Sequence, residues 1–221
     1  MMSHSVYVFD AYGTLFDVHA AVRKHAAAIG PNSTRLSAVW REKQLEYSWT
    51  RSLMGQYADF WELTREALDT AYNMVPDCDP SYKQTLLDAY WKLDTYPEVP
   101  EVLKALKEQG ARLAILSNGS PAMLESAVQA AGMTDVFDEV FSVDPLRRFK
   151  PDPEIYDMVT THFRIYPQAC SFQSSNRWDI AGATKFGMRT VWINRAQAPE
   201  EYHDLTPTAV LTSLSGLIAL G

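Results

Sequence analysis

Residues 6–17 read Val6-Tyr7-Val8-Phe9-Asp10-Ala11-Tyr12-Gly13-Thr14-Leu15-Phe16-Asp17. An apolar run of β-branched and aromatic residues that ends in a carboxylate and a glycine-containing turn is typical of a strand in an α/β sheet. In such sheets the carboxyl ends of the strands face the ligand. Asp10 therefore stands where a side chain can react, and a carboxylate in that place can itself act as a nucleophile.

The pattern after this strand changes twice. Apolar residues spaced three and four apart predict only helices at first, near residues 18–29, 35–51, 59–74 and 80–94. From Pro97 onward, predicted strands alternate with short helices, which indicates right-handed βαβ units and a parallel sheet. The strands are expected at 112–116, 139–143, 170–173, 189–194 and 209–211, and the helices at 101–108, 121–131, 153–163 and 179–186, before a terminal helix.

This order of elements predicts an α/β protein with a doubly wound, Rossmann-like parallel sheet and an inserted α-helical cap domain. We expect residues 1–15 and 98–221 to form the core domain and residues 16–97 to form the cap. Pro97 and Pro100 mark the second junction between the two parts, where the chain returns to the core.

The composition excludes several classes of function. The chain has 221 residues, of which 47% are hydrophobic and 21% charged, and its formal net charge is −7. This charge gives no reason to bind nucleic acid or an anionic membrane surface. No apolar stretch has membrane-spanning length, and Met1–Ser5 does not resemble a secretory signal. Cys78 and Cys170 are too few and too far apart for a disulfide scaffold or a zinc site, so we expect a cytoplasmic protein.

Each predicted strand end carries small polar or charged residues. The first offers Asp10 and Thr14, and the second offers Ser117-Asn118-Gly119. The third leads to Lys150-Pro151, and the fourth leads to Ser174-Ser175-Asn176-Arg177-Trp178-Asp179. Because the carboxyl ends of parallel strands meet at one edge of the sheet, a single crevice is expected to collect these side chains.

The four strand-end segments resemble the four motifs of the haloacid dehalogenase superfamily. Tyr12 and the Ser-Ser-Asn-x-Trp-Asp form of residues 174–179 make the chain similar to its L-2-haloacid dehalogenase subfamily. The resemblance extends from Val6 to about Ile193 and includes the predicted cap. It implies a hydrolase that converts a short L-2-haloalkanoic acid and water into the D-2-hydroxy acid and halide, with inversion of configuration.

The departures from the phosphatases of this superfamily concern the metal and the acid. A Mg²⁺-dependent phosphatase has a second Asp where this chain has Tyr12, and a further acid where it has Ser175-Asn176. With Asp10 and Asp179 alone, a hard dication would be poorly held. A halide leaves as a stable anion and needs no proton from a general acid. The resemblance therefore implies neither a metal nor an organic cofactor.

The resemblance also implies roles for the catalytic side chains. Asp10 attacks the halogen-bearing carbon and forms an enzyme ester, and Asp179 is the candidate base for the water that hydrolyses this ester. Lys150 pairs with both carboxylates and keeps Asp10 ionised. Three residues orient the carboxylates by hydrogen bonds, namely Thr14, Ser174 and Asn176.

The remaining implied roles concern the substrate. Ser117 and the backbone amides of the loop after Asp10, from Ala11 onward, bind the substrate carboxylate. The halide cradle is expected to comprise Arg41, Asn118 and Phe60, and the apolar walls are expected to comprise Tyr12, Leu45, Tyr156 and Trp178. The implied partners are thus a small 2-haloacid and halide, and the aromatic cap and the resemblance together suggest a homodimer.

Structural interpretations of the same residues stay open at this point. Asp10 could cap a helix, Asp179 could favour the dipole of a first helical turn, and Lys150 could be a surface lysine. Arg41 reads as one more charge on a helix surface, and the aromatic residues could be ordinary core. Two rival functions keep the fold, namely a Mg²⁺-dependent phosphatase and a catalytically silent binding protein.

Overall fold

The computed structural model describes residues 6–220, and Met1–Ser5, which the sequence does not mark as a secretory signal, lie outside the described residues. Within that range a parallel sheet has the strand order β3-β2-β1-β4-β5-β6. Its strands are β1 (Val6–Phe9), β2 (Arg112–Ser117), β3 (Glu139–Ser142), β4 (Cys170–Ser174), β5 (Arg189–Ile193) and β6 (Ala209–Leu211). The sheet and its flanking helices confirm the α/β, Rossmann-like fold class.

The central position of β1 follows from its sequence. Val6, Val8 and Phe9 have no exposed surface, as expected for a strand that is covered on both faces. β1 pairs with β2 on one side and with β4 on the other, in parallel register. The order of the strands reverses between β1 and β4, and ligands of doubly wound sheets bind at this switch point. Asp10, directly after β1, lies at this position.

Helices α1 to α5 all lie in the segment from 16 to 97, which we call the helical segment. They are α1 (Ala20–Lys24), α2 (Ala26–Ile29), α3 (Ser33–Met54), α4 (Phe60–Met74) and α5 (Lys83–Tyr90). The Asp59 carboxylate caps α4 by accepting hydrogen bonds from the amides of Trp61 and Glu62. α3 packs along α4, where the indole of Trp40 donates to the carbonyl of Thr64 over 2.8 Å.

The helices after the helical segment flank the sheet. They are α6 (Val99–Glu108), α7 (Pro121–Ala130), α8 (Pro153–Phe163) and α9 (Arg177–Phe186). Short 3₁₀ turns lie at Pro80–Tyr82, Asp144–Leu146, Pro167–Ala169 and Leu214–Leu220. None of the helices within residues 6–220 is both long enough and apolar enough to cross a membrane.

Three predicted helices differ from the structure. The helix predicted at 18–29 is divided at His25, whose φ of −114° and ψ of 10° interrupt the helical backbone. The helix predicted at 80–94 begins as a 3₁₀ turn at Pro80 and ends at Tyr90. The terminal helix is a 3₁₀ helix, Leu214–Leu220.

The chain crosses between the helical segment and the sheet through two adjacent strands of backbone. Phe16 and Thr95 form an isolated antiparallel bridge. The amide of Asp17 donates to the carbonyl of Asp94 over 2.9 Å, and the amide of Tyr96 donates to the carbonyl of Leu15 over 3.0 Å. The outgoing and returning chains are therefore joined side by side, five to seven residues after Asp10.

Candidate active site

The carboxylate of Asp10 is held unevenly. Its Oδ2 accepts hydrogen bonds from Thr14 Oγ1 at 3.0 Å, from Asn176 Nδ2 at 2.8 Å and from Ser174 Oγ at 3.3 Å. Its Oδ1 faces Lys150 Nζ at 3.2 Å. Three donors occupy the lone pairs of Oδ2 and fix the plane of the carboxylate. Oδ1, with its single donor, is the oxygen that keeps a lone pair for chemistry.

Lys150 joins Asp10 to a second buried carboxylate. Its Nζ lies 2.8 Å from Asp179 Oδ2, and the side chains of Lys150 and Asp179 are 1% and 0% exposed. Burial alone lowers the pKa of Lys150, but the facing charges of Asp10 and Asp179 outweigh it and raise that pKa. Lys150 is therefore a permanent cation between the two carboxylates.

Asp179 has the electrostatics of a base. Burial raises the pKa of Asp179 to about 6. The positive charge of Lys150 lowers this pKa, and the negative charge of Asp10 raises it, so the two charges partly offset each other. A carboxylate with a raised pKa binds a proton more readily than an exposed one, and near neutral pH it is still ionised. Asp179 also lies in the first turn of α9, where its negative charge interacts favourably with the helix dipole.

Tyr156, which was expected in the wall of the pocket, contacts Asp179 directly. Its hydroxyl donates to Asp179 Oδ1 over 2.8 Å, and its side chain has no exposed surface. Gly182 of α9 packs so closely that an added Cβ would lie 2.5 Å from this hydroxyl. Because α8 and α9 enclose the ring, Tyr156 supports Asp179 from behind.

The loops after β2 and β3 are tied together. The backbone amide of Lys150 donates to Asn118 Oδ1 over 3.0 Å, which leaves only the amide nitrogen of Asn118 as a donor for an anion. Ser117 Oγ accepts from the amide of Gly119 over 3.0 Å, so its own hydroxyl proton is available. These contacts bring Ser117 and Asn118 beside the Lys150 loop, as the strand-end argument predicts.

The turn that follows Asp10 supplies unused backbone donors. The amides of Thr14 and Leu15 donate to the carbonyl of Ala11, and the amide of Gly13 donates to the carbonyl of Phe16. The amides of Ala11 and Tyr12 take no part in these turn bonds. An anion bound at the end of β1 would meet them first, which is the geometry of a backbone anion site.

Arg41 reaches the crevice from α3. Its Nη2 donates to the carbonyl of Tyr12 over 3.0 Å and lies 3.5 Å from Asn176 Oδ1. The helical segment thus places a guanidinium against the loop that carries Asp10. The surface-charge interpretation of Arg41 is wrong, because the side chain is half-buried and its guanidinium contacts the carbonyl of Tyr12 and the amide oxygen of Asn176.

Aromatic rings close the crevice around these groups. The ring of Tyr12 lies 5.9 Å from that of Phe60 and 5.7 Å from that of Tyr90, between centroids, and Phe60 is buried. Trp178 packs edge-on against Trp49 of α3 at 5.2 Å. Leu45 and Trp178 are both half-buried. The sheet side and the helical side therefore contribute apolar walls that limit water near Asp10.

Two residues of the site had no role in the sequence prediction. Gln44 Oε1 accepts from Arg41 Nη1 over 2.7 Å, and the only sequence signal was its spacing of three from Arg41 on α3. Arg195 Nη2 donates to the carbonyl of Thr14 over 3.0 Å, and its Nη1 bonds Glu98 at 2.6 Å. Arg195 follows β5 and is remote in sequence from every motif.

Two further features of the described structure concern metal binding and a groove outside the crevice. Among residues 6–220, no group of three or more His, Cys, Asp or Glu side chains could hold a metal ion. A groove of about 590 Å³ between α7 and β3, lined by residues such as Leu124 and Phe141, includes none of the residues assigned to the crevice.

The chain is similar to known proteins over nearly its whole length. The sequence model of the haloacid dehalogenase-like hydrolase family matches residues 4–187. The (S)-2-haloacid dehalogenase 1 of Pseudomonas sp. (strain CBS-3) is 49% identical over 95% of this chain and 93% of the relative, and the (S)-2-haloacid dehalogenase 4A of Burkholderia cepacia is 47% identical over 95% and 91%. The structure of L-2-haloacid dehalogenase from Xanthobacter autotrophicus with chloropropionic acid covalently bound superposes with a TM-score of 0.86, at 37% identity, over 98% of this chain and 97% of that one.

Proposed function

The chain belongs to the haloacid dehalogenase-like hydrolase family, and from this premise we propose that it is an (S)-2-haloacid dehalogenase. It hydrolyses a short L-2-haloalkanoic acid to the D-2-hydroxy acid and halide through an aspartyl ester. The relatives that share 47–49% of its sequence carry this name. The carbon–halogen bond is the bond that the reaction breaks.

The observation that carries the proposal is the uneven environment of Asp10. Three donors hold Oδ2, and Lys150 alone faces Oδ1. A carboxylate that must attack carbon needs one fixed oxygen and one free lone pair, which this arrangement supplies. Oδ1 attacks C2 from the side opposite the halogen, the C–O bond forms as the carbon–halogen bond breaks, and the configuration inverts.

The leaving halide needs a cation in an environment from which water is excluded. Arg41 brings its guanidinium to the rim of the loop that carries Asp10 and bonds the carbonyl of Tyr12. Phe60 and Tyr12 exclude water around it, which strengthens the attraction between the guanidinium and a developing anion. The substrate carboxylate would bind to Ser117 and to the unused amides of Ala11 and Tyr12.

The ester is hydrolysed with Asp179 as base. Water attacks the carbonyl carbon of Asp10, Asp179 accepts a proton from this water, and the bond between that carbon and the ester oxygen breaks. The proton passes to the departing oxygen and gives the hydroxyl group of the product. Lys150 and Tyr156 hold one oxygen each of Asp179 and so fix its orientation.

An isotope experiment tests this route. In ¹⁸O-water, a single turnover of an L-2-haloacid with enzyme in excess should place the label on Asp10 and leave the product hydroxyl unlabelled, because water attacks the carboxyl carbon. Mass spectrometry of the peptide that contains Asp10 measures the label. Label in the hydroxy acid with none in this peptide would establish direct attack of water on C2 and overturn the ester route.

We also propose that residues 16–97 act as the cap of the crevice and residues 1–15 and 98–221 as the core. Arg41, Leu45 and Phe60 come from the first part and the carboxylates come from the second.

The protein is proposed to be a cytoplasmic homodimer. Cys78 and Cys170 are free and buried, which suits a reducing compartment. Leu53 and Met54, 87% and 62% exposed, are candidates for the dimer contact, which sedimentation of Leu53→Glu would test.

A further inference from the structure

Gln44 is buried at the centre of a chain of hydrogen bonds inside the helical segment. Its side chain is 1% exposed. Its Nε2 donates to Thr64 Oγ1 over 2.6 Å, and Thr64 Oγ1 in turn donates to the carbonyl of Phe60 over 2.6 Å. Its Oε1 accepts from Arg41 Nη1 over 2.7 Å. The chain thus runs from Phe60 in the wall of the crevice to the guanidinium at its rim.

These bonds define which way the Gln44 amide points. The single proton of the Thr64 hydroxyl is used on the carbonyl of Phe60, so this hydroxyl offers only a lone pair to Gln44. The NH₂ group must therefore face Thr64, and the amide oxygen must face Arg41. The hydroxyl of Tyr90 lies 3.1 Å from Nε2 and 3.2 Å from Oε1 and accommodates this orientation.

All acceptors of the Arg41 guanidinium are neutral. Among the described residues they include the amide oxygen of Gln44, the carbonyl of Tyr12 and the amide oxygen of Asn176, and the neutral hydroxyl of Tyr90 also bonds Arg41. In the described part of the chain no carboxylate forms an ion pair with Arg41, whereas Asp10 and Asp179 are both paired with Lys150. A neutral acceptor fixes the direction of a guanidinium without cancelling its charge, so the charge stays available to an anion.

We propose that Gln44 is a positioning residue for halide departure: it aims Arg41 at the crevice while leaving its positive charge uncompensated. The inference rests on the proposed dehalogenase function and adds a determinant of anion affinity to it. A carboxylate in place of the Gln44 amide would have nearly the same size but would pair with Arg41, and the leaving halide would then compete with a resident negative charge.

The test compares Gln44→Glu with two other variants. Gln44→Met keeps the volume and adds no charge, but it removes the hydrogen bonds and leaves the buried partners of Gln44 unsatisfied. Gln56→Glu makes the same chemical change at an exposed position of the helical segment and is the matched control. The measurements are kcat and KM for L-2-chloropropionate and L-2-bromopropionate, and the inhibition constant of bromide.

Gln44→Glu should lower kcat/KM by about 100-fold, the scale of one lost charge-stabilising donor, and weaken bromide inhibition by about tenfold or more. Gln44→Met should lower kcat less and leave bromide inhibition within a few fold of the wild type, because the charge of Arg41 survives. In an Arg41→Ala background, Gln44→Glu should cost little more, since its effect passes through Arg41. Gln56→Glu should behave like the wild type.

Equal bromide inhibition of Gln44→Glu and Gln56→Glu would overturn this inference and leave the dehalogenase function intact. Equal losses for Gln44→Glu in the presence and absence of Arg41 would also overturn it, because they would indicate a merely structural role. If the wild type releases no halide from any 2-haloacid, the proposed function itself fails. Calorimetric titration of bromide into the wild type and Gln44→Glu then decides the inference, and equal affinities would refute it.

Discussion

Replacing Lys150 by Met should destabilise the protein in a way that depends on pH. The substitution keeps most of the side-chain volume but removes the cation that lies 3.2 Å from Asp10 and 2.8 Å from Asp179. All three side chains are nearly inaccessible to water. Removing one partner from a buried ionic group costs about 3 to 5 kcal/mol, because the charges that remain are uncompensated.

The sign of the pH dependence follows from Asp179. Burial already raises its pKa to about 6 in the wild type, and loss of the opposing Lys150 charge raises the pKa further. The folded variant therefore retains a proton that the unfolded chain releases above about pH 4. The free energy of unfolding of the variant falls as the pH rises from about 4 to the raised pKa of Asp179 in the folded state, by up to about 1.4 kcal/mol per pH unit. Lys150→Met should thus be less harmful at pH 5 than at pH 8.

Urea unfolding followed by tryptophan fluorescence at pH 5, 6.5 and 8 measures this effect. The matched control is Lys107→Met, which removes a partly exposed lysine 3.0 Å from Asp138. That change should cost less than about 1 kcal/mol, as is typical of surface pairs. A Lys150→Met variant that is as stable as the control, or whose destabilisation is the same at pH 5 and pH 8, would refute the electrostatic account of the buried triad.

Three further outcomes are expected. The kcat of the wild type should fall below about pH 6 as Asp179 gains a proton and can no longer accept one from water, so an acid limb well below pH 5 in the kcat profile would contradict its role as base. Halide release should survive extensive chelation, because Lys150 Nζ lies between the carboxylates that a metal would need, and a strict requirement for Mg²⁺ would contradict the proposed chemistry. Arg41→Ala should lower kcat/KM by about 100-fold relative to Lys43→Ala, with similar thermal unfolding, and equal kinetics of the two variants would remove Arg41 from the halide site.

The sequence predicts the elements whose boundaries carry their own chemistry. α8 begins and ends where predicted, at Pro153 and Phe163, because Asp152 caps it and Pro153 suits its first position. The ends of the strands could also be predicted, because polar residues follow the apolar runs. The break at His25 and the 3₁₀ form of Leu214–Leu220 were not, because both depend on packing that no local pattern records.

The site divides in the same way. Asp10 could be placed from its strand end, because the carboxyl ends of parallel strands face the ligand. Lys150 follows β3 only after a further turn, and its pairing with the carboxylates was implied by the family resemblance. The support that Tyr156 gives to Asp179 depends on side-chain directions across α8 and α9. The contact of Gln44 with Arg41 lies within α3, at a spacing of three, but it depends on both side chains facing the same buried environment. Spacing along one helix limits which residues share a face, but it does not say what lies opposite that face.

The paired crossings between sheet and helical segment have a consequence for how such a protein can change. The amide of Asp17 and the carbonyl of Asp94 meet over 2.9 Å, so the long excursion between them leaves and returns at one point. Each doubling of the length of such a closed excursion costs only about 0.6 kcal/mol of chain entropy. A change in the length of residues 17–94 therefore costs little chain entropy at this junction, while Asp10 and Lys150 lie outside the segment. Specificity for a new leaving group or acid can thus be changed in the helical segment, without a change in the residues that follow the strands.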